Sequence, residues 1–461
     1  MKENRDIPVK IGQDYMIDIE GLGHSGEGVG RKDGFTVFVP MALPGERVAV
    51  RIKTVKKQYA VAELQEILVH AAERSQPPCP VYQACGGCQL QHLSYNGQLT
   101  VKQQQVINAM ARIAHLPEIP VHSVLGAVDC WHYRNKMQFP VGVKKGVAVI
   151  GCYAAGTHNV IDTRQCLIQQ QANNQMAVAV KDLVEELKIN VYDELTGQGI
   201  LRHILGRVGT ASGEVMAVLI TATDNIPHKE QIIAGLQARV PGLVSICQNV
   251  NSRRTNVVMG EKTRVLWGQE TISDRLGEFS FRISPRSFFQ VNTVQTQVLY
   301  EKAVAFAGLT GQETVIDAYC GTGTISLFLA RQAARVYGIE IVEPAIRDAV
   351  LNAENNGVEN AEFIVGDAVD VMPELYHRGI RPDVVVVDPP RAGCDAKVLQ
   401  TFVRMEPQRI VYVSCNPASL ARDLAVLDEL GYAAREIQPV DMFPQTFHVE
   451  SVALVQRKHI P

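Results

Sequence analysis

Several things are missing from this 461-residue chain. No stretch of about 18 residues is apolar and free of charge, so no membrane span is expected. The first residues, Met1-Lys2-Glu3-Asn4-Arg5-Asp6, hold no apolar run, so no secretory signal is expected. Net charge is nearly absent: 45 basic side chains against 48 acidic ones leave −3. No global basic field therefore advertises a nucleic-acid partner, although a local basic surface would suffice for one. There is no long-period repeat and no low-complexity tract, which removes solenoids and long disordered segments. With 46% apolar and 20% charged residues there is ample material for a core. The length asks for two to four domains. A cytoplasmic address is expected, and its reducing milieu keeps thiols free. The ten cysteines then need a reading as metal ligands, catalysts or core residues.

Residues 1–68 read as a small β-barrel. Val48, Val50 and Ile52 alternate with Ala49, Arg51 and Lys53, the period of a half-buried strand. The formal G-x-G-x-x-G at Gly21, Gly23 and Gly26 is not a dinucleotide loop, because a strand (Phe35 to Pro40) follows where that motif must open a helix. Arg51, Lys53, Lys56 and Lys57 offer a basic rim that suits RNA, or simply a solvated face. Residues 69–265 form an α+β central domain that opens with a Pro/Cys/Gly-rich segment. A helix over about 94–116, capped by Ser94, carries Leu99, Val106, Ile107, Met110, Ile113 and Leu116 at helical spacing, and it could pack on the catalytic domain. Residues 266–461 begin with an amphipathic helix at 293–308. Strands and helices then alternate steadily, which predicts a parallel sheet covered on both faces.

The sharpest pattern lies in that last part. Val315-Ile-Asp-Ala-Tyr-Cys-Gly-Thr-Gly-Thr324 is an apolar strand running through a glycine turn into a helix. Four further strands end in Glu340, in Gly366-Asp367, in Asp388-Pro-Pro-Arg391 and in Ser414-Cys-Asn-Pro417. Open α/β sheets bind ligands at the carboxyl ends of their strands. A carboxylate at Glu340 can accept both hydroxyls of a ribose. The set resembles the S-adenosylmethionine-dependent methyltransferases. A nicotinamide dehydrogenase fits poorly, since the first loop lacks its full glycine motif.

Asp-Pro-Pro after the fourth strand suggests a planar acceptor such as a nucleobase. An exocyclic amine needs no protein nucleophile, and an amine-directed enzyme would leave the cysteines idle. Carbon 5 of a pyrimidine needs a thiolate added at C6 and a base to remove the C5 proton. Cys415, directly after the fifth strand, is the best placed thiol. Cys320 in the donor loop and Cys394 past Arg391 are its rivals. Cytosine enzymes place their Cys directly after Pro, where this chain has Arg391.

Ser414-Cys415-Asn416-Pro417, Asp388-Pro-Pro-Arg391, Ser284-Pro-Arg-Ser-Phe-Phe-Gln290-Val-Asn292 and Asp441-Met-Phe-Pro-Gln-Thr-Phe-His448-Val-Glu450 together resemble the RNA (uracil-5-)-methyltransferase family, from end to end. The glycine-rich barrel resembles its TRAM RNA-binding domain. The resemblance implies Cys415 as nucleophile and Glu450 as base, with Gln290, Tyr319, Glu340 and Asp388 binding S-adenosylmethionine. It points to the bacterial enzymes of 23S ribosomal RNA, nearest the Gram-positive type. Transfer-RNA members are expected to lack the barrel and the cysteines, which argues against tRNA as substrate. A degenerate RNA-binding or redox-sensing protein is a further alternative, opposed by the intact donor loop. The enzyme is expected to be a monomer.

Cys79-x5-Cys85-x2-Cys88 is a metal signal in a reducing compartment. Spacing alone leaves zinc and iron–sulfur open, with Cys166 or His92 as fourth ligand. The family resemblance implies a 4Fe–4S cluster on Cys79, Cys85, Cys88 and Cys166. Cys130, Cys152 and Cys247 read as core residues. Arg134, Lys136, Phe288 and Phe289 are candidates for contacts to phosphates and extruded bases.

Overall fold

The computed structural model describes residues 7–458. Five strands close the N-terminal barrel: β1 (Asp14–Leu22), β2 (Gly28–Lys32), β3 (Phe35–Val39), β4 (Arg47–Val55) and β5 (Tyr59–Val69), in the order β1-β2-β3-β5-β4. Ile17, Val37, Val48, Val50 and Ile52 fill it. Gly30 is needed where β2 crosses β1, because a Cβ there would collide with the Ile17 side chain and the Asp18 carbonyl. No helix follows the glycines, as the strand pattern requires. Two of the four rim cations are paired across strands. Arg51 makes a two-pronged pair with Asp14 at 2.7 and 2.8 Å, and Lys53 meets Glu63 at 2.8 Å.

Helix α1 (Tyr95–Ala109) follows the cysteine-rich segment, with Ser94 Oγ accepting from the Gly97 amide. It ends in a π-helical turn, Met110–Ala114. Seven strands then make the central sheet: β6 (Lys136–Lys144), β7 (Val147–Tyr153), β8 (Val160–Asp162), β9 (Leu201–Val208), β10 (Val215–Thr221), β11 (Leu243–Val250) and β12 (Lys262–Gly268), ordered β12-β11-β10-β9-β6-β7-β8. Helices α2 (Gln171–Glu186) and α3 (Lys229–Arg239) cover it. A hairpin of β13 (Ile272–Leu276) and β14 (Phe279–Ile283) leads to α4 (Thr293–Ala307), capped by Asn292 and stopped by left-handed Gly308.

The last sheet contains β15 (Thr314–Ala318), β16 (Arg335–Glu340), β17 (Ala361–Val365), β18 (Val384–Val387), β19 (Arg409–Ser414), β20 (Tyr432–Val440) and β21 (Glu450–Arg457). Between them lie α5 (Thr324–Ala330), α6 (Glu343–Asn355), α7 (Ala368–His377), α8 (Ala396–Arg404) and α9 (Pro417–Glu429). The order is β17-β16-β15-β18-β19-β21-β20, so strand order reverses between β15 and β18. The sheet is not wholly parallel, contrary to the alternation in the sequence. β21 runs antiparallel to both β19 and β20, because a hairpin rather than a helical crossover joins β20 to β21.

Helix α1 packs on this last sheet, not on the central one. Val106, Ala109 and Met110 share a core with Leu420, Leu424 and Ile437. The chain after it extends the sheet edge, with Val121 and Leu125 bridging Ile437 and Val440. Its buried face also carries Lys102, whose Nζ lies 2.6 Å from Asp441 Oδ1 in a dry setting. Removing one partner of such a pair leaves an uncompensated buried charge. Lys102→Met is expected to cost about 3–5 kcal/mol and the double variant Lys102→Met/Asp441→Asn markedly less, read from thermal unfolding.

Candidate active site

The carboxyl ends of β15, β16, β18 and β19 open onto one cavity of about 1600 Å³ between the last sheet and the central domain. A pocket for one small ligand is about 300–1,000 Å³, so this one has room for a donor and an extruded nucleotide together. Gln290, Tyr319, Glu340, Asp388, Cys415 and Glu450 all line it.

Local structure explains each placement. Tyr319 sits just past β15 with φ +70°, which starts the turn into α5. Gly323 follows at φ +78°, and a Cβ there would press on Phe363 at 2.9 Å. Glu340 ends β16, and its two oxygens accept from the Gly321 and Val342 amides at 3.3 and 2.9 Å. Gln290 is fixed through its backbone, since Asn135 Nδ2 donates to Gln290 O at 2.9 Å. Asp388 follows β18 directly.

Cys415 and Glu450 lie 35 positions apart in sequence, and the ladder brings them together. β19 pairs with β21 so that Ser414 faces Ser451. Cys415 is the next residue after Ser414 and Glu450 the one before Ser451, so both stand at the end of this ladder, near enough for the Glu450 carboxyl to act on the Cys415 thiol. Asn416 Nδ2 donates to Arg391 O at 3.0 Å and so ties the Asp388-Pro-Pro-Arg391 turn to the same corner. Cys394 is buried away from the cavity, with its amide on Asp423 Oδ2 at 2.8 Å. Cys320 lines the cavity from the donor loop.

The electrostatics are those of a crowded carboxyl site. Burial, then the Asp388 carboxylate, push Glu450 up to about 8, and Arg391 pulls the other way. Burial raises Asp388 to about 7. Burial, with Glu450 and Asp388 nearby, pushes the Cys415 thiol up to about 11, again opposed by Arg391. Burial holds His448 down near 4, so its ring is neutral at pH 7.

The thiols of Cys79, Cys85, Cys88 and Cys166 line the far wall of the same cavity. Cys152, expected in the core, also borders it. A Cβ at Gly87 would lie 3.4 Å from Cys85 Sγ and 3.5 Å from Cys152 Sγ. A register one strand pair away brings Cys152 there, and no spacing rule reveals that. His92 is not in this wall. Its Nδ1 contacts Tyr82 OH at 2.6 Å. Among the described residues, no three His, Cys, Asp or Glu side chains gather closely enough to hold a single metal ion.

The RNA candidates divide. Arg134 and Phe288 line the cavity, and Phe288 is 67% exposed. Phe289 also borders the cavity, but its side chain is buried and packed on Phe281. Burial beside Arg207 and Arg134 lowers Lys136 to about 8. The Trp131–Lys136 segment mainly braces the site, with Tyr133 OH donating to Pro444 O at 3.0 Å and Asn135 holding Gln290.

Glu450 binds a proton more tightly folded than unfolded. Between its ordinary value of 4.5 and about 8 the folded state therefore holds the extra proton, and stability falls as pH rises through that window. Glu450→Gln should flatten this slope and melt above the unsubstituted protein at pH 8, measured as Tm against pH.

Comparisons with known proteins agree with this geometry. Residues 95–458 match the family described as tRNA (Uracil-5-)-methyltransferase, and residues 8–64 match the TRAM domain. An uncharacterized RNA methyltransferase of Halalkalibacterium halodurans is 50% identical over 98% of this chain and 99% of its own. One from Clostridium tetani is 49% identical over 98% of both chains. The Pyrococcus abyssi tRNA (uracil-54, C5)-methyltransferase in complex with S-adenosyl-L-homocysteine superimposes with a TM-score of 0.77 at 30% identity, covering 96% of this chain and all of that one. That coverage corrects one expectation. A tRNA enzyme spans nearly the whole of this fold, so the barrel does not argue against tRNA. The matched family, the shared fold and the strand-end constellation lead to one assignment: the chain belongs to the S-adenosylmethionine-dependent tRNA (uracil-5-)-methyltransferase family of RNA-modifying enzymes.

Proposed function

We propose that this enzyme methylates C5 of uridine in 23S ribosomal RNA, with Cys415 as nucleophile and Glu450 as base. The observation that carries the chemistry is the β19–β21 register, which sets a thiol beside a proton-hungry carboxyl at the rim of the donor site. Gln290, Tyr319, Glu340 and Asp388 are assigned to S-adenosylmethionine, which supplies an electrophilic methyl group.

The residues then divide the work. Cys415 sulfur bonds to C6 of uracil, and the C5–C6 electron pair moves to C5, which takes the methyl group as the donor's S–CH₃ bond breaks. Glu450 removes the C5 proton, the C5–C6 double bond re-forms and the Cys415–C6 bond breaks. Arg391 favours the ionised forms of both groups. A carboxyl that ionises near 8 is a stronger base than an ordinary one once ionised. The base must leave its stack to reach the cavity, and Arg134 and Phe288 are assigned to hold it and its neighbours.

The sequence resemblance to the bacterial enzymes of 23S RNA supports ribosomal RNA, and the relatives are described only as RNA methyltransferases. A tRNA substrate is the second reading, favoured by the Pyrococcus abyssi neighbour. We also assign a 4Fe–4S cluster to Cys79, Cys85, Cys88 and Cys166. All four residues border one cavity, and Cys79, Cys85 and Cys166 lie near enough to act on the Cys88 thiol, a close set of thiols such as a cluster takes. Its contribution would be to cross-link the knuckle to β8 and α2.

Mixing the enzyme with S-adenosylmethionine and 5-fluorouridine-substituted 23S RNA should give a denaturation-resistant adduct on Cys415, because fluorine does not leave as a proton does. Cys415→Ala should lose at least about 10³-fold in activity, the scale on which loss of a nucleophile is felt. Glu450→Gln should accumulate the adduct on ordinary RNA. An active Cys415→Ala would instead mean an amine acceptor. Running unmodified tRNA transcripts beside 23S fragments separates the two substrates. Anaerobically purified protein should contain iron and acid-labile sulfide, both lost in Cys88→Ala; stoichiometric zinc would refute the cluster.

A further inference from the structure

The loop between β20 and β21, residues 441–449, forms the cavity wall beside Cys415 and leads straight into Glu450. It is pinned from outside its own domain segment. Tyr95, Gln98 and Lys102 stand at i, i+3 and i+7 on α1, one polar stripe of a helix. In the fold it is turned inward. Tyr95 OH donates to Asp441 Oδ2 at 3.0 Å, and Lys102 Nζ reaches Asp441 Oδ1 and Phe443 O at 2.6 and 3.1 Å.

Gln98 is the centre of this arrangement, and it is buried. Its Oε1 accepts from the Gln445 amide at 2.9 Å. Its Nε2 faces Gln445 Oε1, Leu90 O and Leu93 O at 3.0, 3.0 and 2.9 Å. Gln445 is held in the left-handed region at φ +71°, unusual for a side chain of its size. Its carbonyl accepts from both the Gln89 and Leu90 amides at 3.0 Å. Those two residues directly follow Cys88. One carboxamide therefore grips the exit of the cysteine knuckle and the turn of the active-site loop at once. None of these contacts touches the donor loop 319–324.

We propose that Gln98 and Gln445 are positioning residues that transmit the fold of the cysteine knuckle to the wall of the uridine pocket, leaving the donor site independent of it. Three side chains of the loop, Phe443, Thr446 and His448, line the cavity, and its backbone is fixed by Gln98, Lys102, Tyr133 and the knuckle amides. Release of the knuckle frees Gln445 O, the turn relaxes out of its left-handed conformation, and the wall loses its shape while Tyr319, Glu340 and Asp388 stay in place. The proposal rests on the reading of Cys415 and Glu450 as the reacting groups.

The test compares the unsubstituted enzyme with Gln98→Met, Cys88→Ala and the double variant, and runs Glu450→Gln in parallel. The readouts are hydrogen exchange of the amides in 443–448, S-adenosylmethionine binding by calorimetry, and kcat against KM for RNA. Gln98→Met should raise exchange in 443–448 at least tenfold and lower kcat at least tenfold. KM for RNA should stay within threefold, and donor stoichiometry and affinity should not change. Cys88→Ala should raise the same amides without touching 319–324, and the double variant should add nothing further. Unchanged exchange and kcat in Gln98→Met overturns the proposal, as does additivity in the double variant. Should Gln98→Met not fold, Gln98→Glu keeps the acceptor for the Gln445 amide and removes the donor, with the same outcomes expected. Normal product release by Glu450→Gln would refute the base assignment alone, because the exchange readout does not depend on the reaction.

Discussion

The register of β21 against β19 is the constraint on which the rest of the site depends. β21 enters the sheet antiparallel, so its first residue lies at the edge where the parallel strands end. With Ser414 opposite Ser451, Glu450 and Cys415 both come to the end of the ladder, close to one another. A slip of one residue would turn every side chain of β21 to the other face of the sheet. Val452 and Leu454 pack toward one core, while Ala453 and Val455 are buried in the other. Both faces are thus apolar, and the register is set by packing on two sides together with β20.

That placement is costly in electrostatic terms. Asp317, Asp388 and Glu450 crowd the strand ends, and burial raises all three. Ser326 offsets part of this at Asp317 through a 2.5 Å hydrogen bond, and Arg391 offsets part of it at Glu450. Such perturbed groups in a cavity mark a working site more than a stable one. The stability lost there is recovered in the surrounding cores and in the brace that α1 lays across the 441–449 loop.

Much of the site was legible in the sequence. Strand-end motifs at Tyr319, Glu340, Asp388 and Cys415 need only the alternation of strands and helices, because each residue sits directly after an apolar run. Glu450 was legible only through its motif, since an acid before a terminal strand says nothing alone. Three things were hidden. Cys152 reaches the other thiols through strand pairing. Tyr95, Gln98 and Lys102 look like a wet helix face because nothing local shows that a hairpin over 300 residues away covers them. The basic stripe of the barrel looked free because Asp14 and Glu63 reach it only across neighbouring strands.

The sequence by itself determined the barrel, the alternating catalytic domain and the polar motifs at its strand ends, since period, turn residues and motif spacing are local properties. The tertiary structure alone decided that β21 runs antiparallel and that knuckle, loop and strand ends share one cavity. Those outcomes depend on which apolar faces find each other, and that is settled by packing between segments far apart in the chain.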